Sequence, residues 1–168
     1  MRQYTKKIIG IIFLLLSTNV FALSLSEDAI KRGISETCAS YLNQVEQSYN
    51  LSGLNITFAH PKNPALLPSL HISSQKYNNG SSIFSATLTP DEEYCYISTV
   101  LVTSVNNQTC SEISLLKLET DPELQTSIFA DGNFTIMAPK DNAYQIILTT
   151  QSEAGCVMTE TRMLWPGR

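Results

Sequence analysis

From Ser24 to Tyr49, apolar residues recur at steps of three and four. Ile30, Ile34, Cys38, Tyr41, Leu42, Val45 and Tyr49 make one stripe, which predicts an amphipathic helix lying on a core. The other side carries Lys31, Glu36, Asn43, Gln44 and Gln47 and is expected to face water. Ser24-Leu25-Ser26-Glu27 offers a capping box, and Glu27 and Asp28 suit the positive end of the helix dipole. Asn50 and Gly53 stop the pattern. Such a helix is ~35 Å long at ~1.5 Å per residue, enough to span a sheet.

After Gly53 the period changes to two. Alternating or β-branched stretches run over 54–58, 83–89, 93–104, 113–118, 126–130, 134–138, 143–150 and 157–164, and each reads as a strand. Asn79-Gly80, Pro90-Asp91, Asn106-Asn107, Asp131-Gly132 and Ala154-Gly155 are turn signals between them. The gaps are too short for crossover helices, so the sheet is expected to be antiparallel. His60 to Leu70, with Pro61, Pro64 and Pro68, reads as a stiff irregular loop, and Ser74 to Gly80 as a second loop. The expected fold class is α+β: one long N-terminal helix packed on an antiparallel, meander-like β-sheet, stapled by two disulfides.

The N-terminus changes the organisation. Arg2, Lys6 and Lys7 precede an apolar run from Ile8 to Leu16, and Val20-Phe21-Ala22 follows. That order is the three-part pattern of a secretory signal peptide. The run is too short for a membrane anchor, which needs ~20 apolar residues. Residues 1–22 are therefore expected to be a removed signal peptide and residues 23–168 a single α+β domain, periplasmic or secreted, with no membrane anchor in the mature chain. The short, lysine-bearing leader favours a bacterial source.

An exported domain with Cys38, Cys95, Cys110 and Cys156 is expected to pair all four. If Asn106-Asn107 turns a hairpin, Cys95 and Cys110 are displaced by about eight residues, ~26 Å along the ladder. A disulfide needs its Cα atoms within ~7 Å, which excludes that pair. Two schemes remain. Cys38–Cys95 with Cys110–Cys156 is preferred, because Cys110 and Cys156 each follow a turn at the same end of the sheet. Cys38–Cys110 with Cys95–Cys156 is the alternative.

Charge narrows the partners. Arg2, Lys6 and Lys7 leave with the leader, so eight basic residues face 15 acidic ones in the mature chain, a formal charge of −7. An acidic chain repels phosphate backbones and anionic membranes, so nucleic acid is not an expected partner. A cationic protein is permitted. Two elements are candidate partner-binding sites: Ala65, Leu66 and Leu67 at the tip of the proline loop, and the acidic cluster Asp91, Glu92 and Glu93 after Pro90. A stiff loop has little entropy left to lose on docking. Five N-x-S/T triplets, at Asn50, Asn55, Asn79, Asn107 and Asn133, fit glycosylation acceptors by pattern alone.

Candidate chemistry is sparse. G-x-S-x-G, H-E-x-x-H, G-x-x-x-x-G-K and G-x-G-x-x-G are absent. S-x-x-K occurs at Ser73/Lys76, in a predicted loop, and at Ser114/Lys117, in a predicted strand, without the S-D-N and K-T-G companions of penicillin-interacting enzymes. The two histidines, His60 and His71, flank the proline loop and have no carboxylate nearby in sequence. No catalytic, cofactor or metal residues are assigned. The expected function is a small non-enzymatic protein-binding module of the cell envelope, such as an inhibitor or accessory subunit. The alternatives are a structural or assembly component of an envelope or secretion machine, and a hydrolase whose site is scattered through the sequence.

Overall fold

The computed structural model describes residues 23–152 and 154–164. The leader expected over residues 1–22 lies outside them. Helices α1 (Leu25–Lys31) and α2 (Glu36–Ser48) come first. Strands β1 (Leu54–Phe58), β2 (Ser69–Tyr77), β3 (Gly80–Asp91) and β4 (Tyr94–Asn106) follow as a meander. Helix α3 (Cys110–Thr120) then carries the chain to the far edge of the sheet. Strands β5 (Gln125–Phe129), β6 (Phe134–Ala138), β7 (Tyr144–Ser152) and β8 (Gly155–Leu164) return from there. The result is a single eight-stranded sheet of order β1-β2-β3-β4-β8-β7-β6-β5, antiparallel at every pairing.

Three expectations are corrected. The N-terminal helix is broken in two at Gly33, whose φ of +83° is a conformation that favours glycine. A Cβ there would also come within 2.9 Å of Pro64 Cγ, so the break is where the proline loop seats itself. The break re-phases the stripe: Ile34, Cys38, Leu42 and Val45 are buried, but Ile30 is exposed. Residues 113–118, expected as a strand, belong to α3. Thr109 caps that helix, with its hydroxyl accepting from the Glu112 amide and the Glu112 carboxylate accepting from the Thr109 amide. Asn106-Asn107 consequently turns no hairpin, and β4 pairs with β8 instead. Ser74 to Tyr77, expected as loop, extends β2.

All three helices lie on one face of the sheet. Beneath α1 and α2, the core is built on Phe84, Ala86, Leu88, Cys95 and Ile97. Beneath α3 it is built on Met137, Ile146, Leu148 and Cys156. Register shows that these share a face: β4 aligns Leu101 with Glu160 and Val105 with Cys156, and β7 aligns Leu148 with Met158. The disulfides are Cys38–Cys95 and Cys110–Cys156, one pinning α2 to β4 and the other α3 to β8. These are the preferred bridges, although the hairpin used to argue for them does not form. Buried Glu46 of α2 ties α1 down. Its carboxylate accepts from the Leu25 and Ser26 amides at 2.7 and 3.3 Å, at the positive end of α1.

Candidate functional site

The chain of groups closest to a catalytic array sits under α1. Ser69 Oγ lies 2.8 Å from His71 Nε2, and His71 Nδ1 lies 3.2 Å from Thr57 Oγ1. Thr57 in turn hydrogen-bonds Asp28. The order is nucleophile, base, hydroxyl and carboxylate. Its environment argues against catalysis. Ser69, His71 and Thr57 are all buried, so neither a substrate carbonyl nor a water molecule reaches Ser69 in this conformation. Burial lowers the His71 pKa to about 4, against a smaller opposing pull from Asp28. The imidazole is therefore neutral and acts as a two-sided clamp between β1 and β2. For Asp28, burial raises the pKa, but hydrogen bonds from Thr57 and Arg32 and the Arg32 charge outweigh it and leave the carboxyl below its ordinary value. His60 is exposed, and its Nδ1 accepts from the Lys62 and Asn63 amides of the proline loop. Among the described residues no cluster of three His, Cys, Asp or Glu side chains is placed to hold a metal.

A second polar network bridges the two helical lobes. The Tyr49 hydroxyl donates to Glu160 Oε1 at 3.0 Å, and Arg162 Nε donates to the same oxygen at 2.9 Å. The Arg162 guanidinium lies 4.6 Å from the Tyr144 ring centroid, and the Tyr144 hydroxyl donates to Asp121 Oδ2 at 2.6 Å. Burial and the Asp121 carboxylate push the Tyr144 phenol up to about 12. Beside this network, where β7 begins short of the end of β8, an open recess of about 480 Å³ is lined by Ser98, Val100, Tyr144, Gln145, Arg162 and Met163. Its one arginine is already held by Glu160 and Tyr144, so the recess offers hydroxyl and apolar contacts more than a vacant charge.

The candidate partner-binding residues fall at this same end of the sheet. The proline loop joins β1 to β2, and the acidic turn joins β3 to β4. The pairing of Ser69 with Leu88 puts both connections on one side. Ala65 is half-buried, whereas Leu66 is 75% exposed and Leu67 is exposed. Asp91, Glu92 and Glu93 are exposed. Phe58 and Leu70, also exposed, flank the proline loop on β1 and β2, and exposed Tyr94 follows the acidic turn on β4. The S-x-x-K matches dissolve: on strand β2, residues three apart point to opposite faces, so Ser73 is buried under the helices and Lys76 is exposed on the other side. Ser114 lies on α3 and donates to Met137 Sδ at 3.6 Å.

Sequence reading missed the helix-free face of the sheet. Row by row, register places on it Leu54, Ser74, Ile83 and Val102, then Ile56, Ile72, Ser85 and Val100, then Phe58, Leu70, Thr87 and Ser98. None of these side chains is buried. The signal was present: a one-sided sheet shows polar residues at every second position, whereas Ile83, Val100 and Val102 stand where polar residues belong. Comparison with known families, with curated proteins and with solved structures finds no match.

Proposed function

We propose that this chain is an exported, non-enzymatic protein-binding module of the cell envelope. It docks through the sheet end that carries the proline loop and the acidic turn. One observation carries the reading: the apolar tip of the proline loop, Leu66 and Leu67, and the acidic turn, Asp91, Glu92 and Glu93, lie at one end of the fold with exposed Phe58, Leu70 and Tyr94. An apolar anchor with an acidic rim suits a cationic partner, whose approach the acids steer. The two disulfides fit an oxidising, exported setting. The burial of Ser69 and His71 speaks against the hydrolase alternative. A structural role in an envelope assembly is the second reading, supported by the uncovered sheet face.

The test is capture from an envelope fraction by the disulfide-bonded protein, compared with Leu66→Ser/Leu67→Ser and Glu92→Gln/Glu93→Gln variants. The captured partner should be lost with the first variant. With the second it should associate more slowly, and its binding to the unaltered protein should weaken as salt rises. Binding indifferent to both variants and to salt would remove this end of the molecule from the reading.

A further inference from the structure

We infer that the helix-free face of the sheet is a self-association surface, occupied by a second copy of this chain about a two-fold axis that crosses β3 near Ala86. The inference goes beyond the partner reading above and needs no other protein: the second copy covers Phe58, Leu70 and Asp91, and leaves Leu66, Leu67, Glu92 and Glu93 to the partner.

Charge points to the occupant. The chain is acidic, with a formal net charge of −4, so two copies repel wherever carboxylates meet. Among the residues that the strands place on this face, only Lys76 and Asp91 are charged, one of each sign. Lys76 pairs with Ser81 at the start of β3, and Asp91 ends that strand ten residues later, ~33 Å away at ~3.3 Å per residue. Ala86 is midway. A two-fold axis lying between the stacked sheets, perpendicular to the strands and passing over Ala86, reverses the strand direction. It carries each Lys76 to within one strand spacing of Asp91 on the other copy. The same operation must make two such pairs, as an isologous contact requires.

The apolar rows obey the same axis. Ile56, Ile72 and Val100 stand one residue to one side of Ala86, while Phe58 and Leu70 stand one residue to the other. The operation lays the first row over the second row of the other copy. Ile83 and Val102, three residues out, meet the row of Tyr96. Size is sufficient. Eight strands at ~4.8 Å and a depth of roughly 30 Å give a face on the order of 1,000 Å², against the ~800 Å² per partner of a standard interface. Stacked sheets sit ~10 Å apart and align within about 30°, so strands running back on themselves pack without steric conflict.

Sedimentation velocity on the purified, disulfide-bonded protein, from micromolar to millimolar concentration, tests the inference. The mass should double with concentration. Lys76→Glu or Asp91→Lys alone, which sets like charges opposite each other twice per dimer, should weaken the dimer at least about tenfold. Lys76→Asp combined with Asp91→Lys should restore it to within about threefold. Val100→Glu, at an exposed position, should give a monomer that keeps its near-ultraviolet circular dichroism. A monomer at every concentration, a dimer that tolerates Val100→Glu, or a charge exchange that fails to rescue would each overturn the inference. So would a monomer that binds phosphatidylcholine vesicles through Val100, which would assign the face to lipid.

Discussion

Strand β3 shows both faces of the sheet in one segment. Phe84, Ala86 and Leu88 point to the helices and are fully buried, while Ile83, Ser85 and Thr87 point away and are not, Ile83 being 55% exposed. Backbone, pairing and neighbouring strands are the same for both sets. The difference is the roof: α1 and α2 above one face, and no helix among the described residues above the other. Both disulfides also anchor helices to the covered side. The comparison teaches that apolar strand residues serve two purposes here. One set builds the domain. The other, interleaved with serine and threonine and nearly free of charge, stays exposed or half-exposed and is the surface proposed above for self-association.

The covered face can be broken in two ways, largest effect first. The bridges close 57- and 46-residue separations, so chain entropy assigns each about 4 kcal/mol. Replacing Cys38 and Cys95 by serine should loosen the α1–α2 roof, and replacing Cys110 and Cys156 the α3 roof. Denaturant titration should show comparable losses for both double variants. Leu42→Ala, beneath α2 and fully buried, should cost about 2–5 kcal/mol. A loss under ~0.5 kcal/mol in the same assay would mean that α2 is not docked by this face.

How legible all this was in the sequence depends on the element. Strands with clean alternation, such as 54–58 and 134–138, matched their expected bounds. Helix α3 did not, because Ile113-Ser114-Leu115-Leu116-Lys117-Leu118 fits a strand pattern as well as a helical one, and it leaves Leu115 and Leu116 exposed. The capping box Thr109–Glu112 is the local signal that separates the two patterns. Gly33 was likewise visible inside the helical stripe: its positive φ closes α1 locally, with the Ile34 amide donating to the Ala29 carbonyl, and only the close approach of Pro64 is tertiary. The His71 array was beyond reach. Its groups come from α1, β1 and β2, and only the β1–β2 register brings Thr57 opposite His71. The coincidence of the proline loop and the acidic turn at one end needed the same register.

The covered face also hides a titrating group, which sharpens the contrast at lower cost. Burial lowers the His71 pKa from 6.5 to about 4, so in that window the unfolded chain takes up a proton that the folded chain refuses. Above the window both states are neutral. Stability should therefore fall as pH drops from about 6.5 to about 4, by up to about 3 kcal/mol, and this contribution should level off below it. Urea titrations across pH 4–7 should show the slope, and His71→Gln should flatten it. An unchanged slope in that variant would assign the acid sensitivity elsewhere.

The smallest effect belongs to the open face, and set beside its neighbour it is the most direct test of one-sided burial. Ile83→Ala and Phe84→Ala alter adjacent residues of one strand. Measured by denaturant unfolding at concentrations dilute enough to keep the chain monomeric, Phe84→Ala should cost about 3–5 kcal/mol and Ile83→Ala less than ~1 kcal/mol. Equal costs would mean that the second face is buried within the monomer, and would contradict the account.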